Sequence, residues 1–177
     1  DYFFGGHVGL LDGLKVGAVA AGGHGFLAST KFDVTFHGYP SHAAAPERGR
    51  NAIAAAAMAT LGMLSIPRHG DGASRINVGT FHGGTGRNVI PARADLCVET
   101  RGGTTEINAF MEAEARRICQ GAADMYGCTL ETRFMGSAGC IVCDEPLVEQ
   151  TIQVLSQMEG VDQILRDINF NGGEDVT

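Results

Sequence analysis

Residues 32–53, FDVTFHGYPSHAAAPERGRNAI, change periodicity once, and that change sets the fold. Phe32, Val34 and Phe36 alternate with Asp33, Thr35 and His37. A repeat of two puts the apolar residues on one side of a half-buried strand, so a strand is predicted from Thr30 to His37. From Asn51 the repeat is helical, with Ile53, Ala57, Leu61 and Leu64 in phase. A helix over 51–65, stopped by Pro67, follows. Between the two lies a loop built around Pro40, Pro46 and Gly49, with His42 inside it.

The same alternation of periods recurs downstream. Ile76, Val78 and Thr80 begin a second strand, and the glycine-rich HGGTGRNVIP leads to a third, from Ala92 to Arg101. There Ala94, Leu96 and Val98 face one way, and Arg93, Asp95, Cys97, Glu99 and Arg101 the other. A helix is expected over 104–126, capped by Thr104 or Thr105 and stopped by Gly127. Its expected apolar stripe is Ile107, Phe110, Met111, Ile118, Ala122 and Met125. A fourth strand covers 129–135, and a last helix covers 144–158 with Asp144 as its cap and Pro146 in its first turn. The order β-α-β-β-α-β predicts an α+β, ferredoxin-like domain: four antiparallel strands with both helices on one face. Its other face must meet water, substrate or another domain. Its open edges invite pairing, and the small residues Ala54 to Ala57 would let another helix or strand approach closely.

Composition narrows the function. A net charge of −7 argues against a nucleic-acid or anionic-membrane surface, without excluding a small anionic substrate held by local arginines. No apolar run approaches the roughly 18 residues of a membrane span. Five cysteines, with a single CxxC at Cys140 and Cys143, fit reduced, partly buried thiols of a cytoplasmic protein better than a disulfide framework. The glycine-rich residues 1–29 lack a core pattern, and both ends read as cut, as in a piece of a larger protein.

A lone loop histidine is by default a solvated surface residue. His42 differs in two ways: Ala43, Ala44 and Ala45 leave its imidazole unshielded, and Pro40 and Pro46 stiffen its loop. Asn88 lies among glycines that let a ligand approach the backbone, and its amide can both donate and accept, although asparagine also occupies such turns for conformational reasons alone. Arg101 ends its strand on the uncovered face, where a guanidinium can grip a carboxylate in a fork or simply be solvated. His7, beside Gly5 and Gly6, is a candidate metal ligand, but one histidine makes no site. Glu174 and Asp175 are neighbouring carboxylates without the geometry of a pair.

Taken together, residues 32–53 and INVGTFHGGTGRNVIPARADLCVETR, residues 76–101, resemble the M20 family of metallopeptidases and amidohydrolases. The first is similar to the family's Gly-x-x-Ser-His-Ala…Pro…Gly-x-Asn-Ala-Ile signature, the second to its Asn-x-Ile-Pro signature followed by a strand-closing arginine. The subgroup most similar is the aminobenzoyl-glutamate hydrolase type, on DYF…HVG and FLASTKFDVTF. The resemblance implies a catalytic-domain remnant over 1–29, a lid or dimerisation domain over 30–137 and a return segment into the catalytic domain over 138–177. It implies a metal-dependent amidohydrolase cleaving N-acyl amino acids, with zinc or manganese in the full-length enzyme and none bound to this segment. It further implies a two-fold homodimer through the helix at 51–65 and an adjacent edge strand, in which His42 reaches into the partner's active site to stabilise an oxyanion, Asn88 and Arg101 bind substrate, and His7 is a metal ligand. Gly173–Val176 depart from the family's usual Ser-Glu-Asp-Phe. The other readings of the same residues are a ferredoxin-like small-molecule-binding module and a purely dimerising domain without catalysis.

Overall fold

The structure, a computed structural model, describes residues 4–6 and 14–172. His7, Glu174 and Asp175 lie outside the described residues. Within the described residues, eight strands and three α-helices follow one another: β1 (Ala18–Phe26), β2 (Ala28–His37), β3 (Ser41–His42), α1 (Ala52–Leu64), β4 (Ser74–Gly83), β5 (Val89–Ile90), β6 (Arg93–Gly102), α2 (Thr105–Tyr126), β7 (Thr129–Ala138), α3 (Glu145–Leu155) and β8 (Gln163–Gly172). A short 3-10 turn, Pro46–Arg48, sits between β3 and α1.

The central sheet has the order β4-β6-β2-β7, antiparallel at every junction. The expected ferredoxin-like arrangement is therefore the observed one. Its core pair is β2 on β6, where Phe32 faces Val98, Val34 faces Leu96 and Phe36 faces Ala94. All six are buried beneath α1 and α2. Fully burying a side chain of the valine, leucine or phenylalanine kind contributes roughly 1.5–3 kcal/mol, so this pair carries much of the core. Thr104 caps α2 by accepting from the Ile107 N–H at 3.2 Å, and Gly127 ends it with a φ of 65°. Asp144 caps α3 by accepting from the Leu147 N–H at 2.9 Å.

The packed face of α1 differs from the one expected, whereas that of α2 keeps Ile107, Met111, Ile118 and Ala122 of its expected stripe. In α1 the buried residues are Ala52, Ala55, Ala56, Ala59 and Met63, whereas Leu61 and Leu64 are more than half exposed. This helix is apolar on nearly every side, so spacing alone could not tell which side packs. The alanines win because they let α1 approach the sheet and α2 closely. In α2, Phe110 and Met125 are exposed, and Asn108, Ala115, Cys119 and Ala123 line the buried face. Asn108 is tolerated there because its Nδ2 donates to the buried Thr30 hydroxyl at 2.8 Å.

The glycine-rich start also holds a strand that no alternation announced. β1 pairs in parallel with β8, from Ala18↔Gln163 to Phe26↔Gly172, and α3 packs on it with Val148 buried. Among the described residues no helix is long and apolar enough to cross a membrane.

If the alanine face of α1 sets the helix–sheet distance, Ala56→Leu overpacks the core. Urea unfolding is expected to show a loss of about 1–3 kcal/mol. Unchanged stability would show that α1 is seated more loosely than described.

Candidate functional site

The His42 loop is fastened at both ends. The Gly38 N–H donates to the Ala92 carbonyl at 2.7 Å, Tyr39 and Arg50 exchange backbone bonds of 3.0 and 2.8 Å, and the Ala52 N–H donates to the Pro91 carbonyl at 2.9 Å. Gly38 is required because a Cβ there would run into the carbonyl of Arg50. Within the loop, β3 pairs with β5, His42 opposite Val89, and the Ala43 N–H donates to the Asn88 carbonyl at 2.9 Å. His42 and Asn88, far apart in sequence, are thus brought together at the start of β6, both exposed.

The imidazole is oriented as well as placed. Its Nδ1 accepts from the Ala44 N–H at 3.1 Å. A neutral imidazole that accepts at one nitrogen carries its proton on the other. Nε2 of His42 is therefore a hydrogen-bond donor facing open space. That is the form suited to an oxygen on which negative charge develops.

Arg101 is on the uncovered sheet face, as expected, but at the opposite end of β6 and not in open solution. Its Nε and one terminal nitrogen donate to the two carboxylate oxygens of Glu99, each at 3.1 Å. Both side chains are about one third or less exposed. The alternation puts Glu99 on the same face as Arg101, because residues two apart on a strand share a face, but its grip on Arg101 was not drawn from it. The Arg93 end of the same face carries its own network. Arg93 forks onto Asp95 at 2.9 and 2.7 Å, Thr35 donates to Asp95 at 2.7 Å, and His37 meets Glu131 at 3.1 Å. The bond from Arg93 holds the Asp95 carboxyl below its ordinary range.

His42 and Asn88 therefore do not share a locality with Arg101. Arg93 and Arg101 stand eight positions apart on β6, about 26 Å at the usual strand rise. Metal chemistry is not placed on these elements either. Among the described residues no group of three or more His, Cys, Asp or Glu could hold a metal ion, so they do not fit a metal centre. The cysteines are free; Cys140 and Cys143 are half-buried, and burial pushes the Cys119 thiol up to about 12, which keeps it neutral and unreactive.

Comparison with known proteins agrees with this frame. A family model described as the peptidase dimerisation domain of M20 proteins matches residues 28–124. The chain is 44% identical over 179 residues to a p-aminobenzoyl-glutamate hydrolase subunit from Escherichia coli K12, covering 100% of the chain and 41% of that protein. It is 43% identical over 179 residues to the indole-3-acetyl-aspartic acid hydrolase of Enterobacter agglomerans, again covering 100% and 41%. Among solved structures, the aminobenzoyl-glutamate utilization protein of Klebsiella pneumoniae superposes with a TM-score of 0.85 at 44% identity, over 93% of this chain and 42% of that one. The chain spans about two fifths of the length of these relatives.

The expected tautomer is directly measurable. In nitrogen-15 spectra of neutral His42, Nε2 should carry the proton and Nδ1 should resonate as an acceptor. The reverse assignment would remove the donor from the open side of the ring.

Proposed function

Because the chain belongs to the M20 peptidase dimerisation domain family, we propose that it is the lid and dimerisation segment of an amidohydrolase that cleaves N-acyl amino acids such as aminobenzoyl-glutamate. Residues 30–137 form the lid. Residues 1–29 and 138–177 lead into a catalytic domain. The pairing of β1 with β8 supports that division, because a parallel pair is a fragment of a sheet normally covered on both faces. M20 hydrolases are typically metal-dependent. The zinc or manganese of the working enzyme is not held by the described residues, and His7 is the one residue of this chain proposed as a ligand.

The single observation that carries the reading is the His42 imidazole, anchored through Nδ1 and open at Nε2. Its Nε2–H donates to the oxygen of the scissile amide as that oxygen gains negative charge. One such preorganised donor is worth roughly 10²–10³ in kcat. Asn88, fixed beside it, offers an amide that orients the same group. Arg101 receives the substrate's carboxylate, and the tether to Glu99 holds its guanidinium in place before the substrate arrives.

The length of β6 between the two groups, about 26 Å, sets them too far apart for one chain to bring both to one small substrate. A two-fold axis can. β4 is an edge strand. Its Ser74 end pairs beside Arg101, and its Gly83 end lies beside the start of β6, next to the His42 loop. Two β4 strands joined antiparallel across a dyad set the Arg101 end of one protomer beside the His42 end of its partner. The exposed apolar residues Met58, Leu61 and Leu64 of α1, and Phe81 of β4, supply a surface for that contact. In this reading the enzyme is a homodimer of the cytoplasm with His42 acting in trans.

Two outcomes follow. The isolated 177-residue chain, supplied with zinc or manganese, is expected to show no turnover of an N-acyl glutamate; turnover would overturn the lid reading. In the full-length enzyme, His42→Ala and Arg101→Ala are each expected to lower kcat/KM severely. Unfolding and re-forming equimolar mixtures should restore about a quarter of wild-type activity, since half the dimers are mixed and one of their two sites is intact. No recovery in verified mixed dimers would place the residues in cis and contradict the account.

A further inference from the structure

Two connections join the four-stranded sheet and its helices to the β1–β8 pair, and they are built differently. In the first, the single residue Leu27 separates β1 from β2; it is buried, and its N–H donates to the Gly172 carbonyl at 2.7 Å. The second runs from the end of β7 at Ala138 to the start of α3 at Glu145. Residues 139–144 form neither helix, strand nor turn. They contain the CxxC pair, Cys140 and Cys143, separated by Ile141 and Val142.

Each cysteine is attached to a different side of this junction. The Cys140 sulfur lies 3.7 Å from the hydroxyl of Thr105, the first residue of α2. Cys143 immediately precedes Asp144, whose carboxylate caps α3. Both thiols are free and half-buried. The other cysteines differ. Cys119 and Cys128 are buried, and burial pushes both thiols up. Cys97 is exposed, but it stands opposite Asp33 and Thr80, with no second thiol beside it on the neighbouring strands.

Three residue steps without a turn span up to about 10 Å, whereas a disulfide holds its two Cα atoms about 4.4–6.8 Å apart. Closing the pair therefore bends residues 140–143 into a turn and shortens the second connection. The β-branched Ile141 and Val142 favour the extended chain, so the reduced form is the relaxed one and the bond, once made, is readily reduced again.

We propose that Cys140 and Cys143 are a redox-modification site: a small-molecule disulfide such as oxidised glutathione converts them to a reversible disulfide that locks the second connection. One thiolate attacks the small disulfide, forms a mixed disulfide and releases one small thiol. The other thiolate attacks the protein sulfur of that mixed disulfide and releases the second. The protein pair loses two electrons and two protons, and both end in the two thiols released. Oxidation shortens one tether while the Leu27 tether stays as it is, so the lid is held at a changed angle to its catalytic partner. The effect on catalysis rests on the hydrolase reading above; the disulfide itself does not.

The test treats the full-length enzyme with oxidised glutathione and weighs its proteolytic peptides before and after reduction. The peptide carrying both cysteines is expected to be lighter by two hydrogens, free of bound glutathione, and restored by dithiothreitol. Amide hydrogen exchange over 139–144 should slow in the oxidised form. Hydrolysis of an N-acyl amino acid should fall severalfold in kcat/KM and recover on reduction. Cys140→Ala and Cys143→Ser should each keep the activity of the reduced enzyme and lose the response to oxidation, whereas Cys97→Ser should keep the response. Glutathione left on one cysteine, a disulfide through Cys97, or a Cys140–Cys143 bond that leaves exchange or the hydrolysis of an active enzyme unchanged overturns the proposal. If the reduced enzyme cleaves no N-acyl amino acid, the hydrolase reading falls, and the peptide mass and the exchange rates decide the proposal on their own.

Discussion

The pairing of β2 with β6 governs the rest of this structure. Each residue of one strand faces a residue of the other, from Ala28↔Gly102 to His37↔Arg93. With the register fixed, alternation sorts every side chain. Phe32, Val34, Leu96 and Val98 go under the helices, and Asp33, Thr35, Asp95, Glu99 and Arg101 go to the other side. A slip of one residue would exchange the two sets, burying charge and exposing the core. The makeup of the outer face is therefore a direct consequence of how the core is packed.

The same pairing sets the distances that matter. It places the His42 loop at one end of the sheet and the Glu99–Arg101 fork at the other. Neither group can move toward its counterpart without breaking the central strands. In the proposed reading, a site that uses both is formed by two molecules rather than by motion within one. The polar outer face, the apolar exposed side of α1 and the free edge of β4 become parts of one arrangement. Each is an oddity in a monomer and each is useful in a two-fold assembly.

Much of this was legible in the sequence. The strand and helix order over 30–135, the Thr104, Asp144 and Gly127 helix ends, and the outward set of β6 all follow from local periodicity and capping chemistry. What was not legible is non-local. β1 and β8 lie near opposite ends of the chain, and glycine-rich β1 has no alternation to betray it. The packing side of α1 was hidden because alanine, methionine and leucine occur all around it, and only the close approach of the sheet selects the alanines. At the candidate site, His42, Asn88 and Arg101 could be named individually. Their partition into two distant groups needed the β3–β5 ribbon and the length of β6. The grip of Glu99 on Arg101 follows from a spacing of two on one strand, a signal already present in the sequence.

The central claim is that a dyad beside β4 joins opposite ends of two sheets. It is tested most directly by electron–electron distance measurement in the full-length dimer. One protomer would carry a spin label at Asp71, next to the Arg75 and Arg101 end, and its partner a label at Arg87, beside Asn88. Within one chain these positions are separated by the length of β4, about 30 Å. The account predicts a clearly shorter distance between protomers than within one. A longer distance between protomers would contradict it.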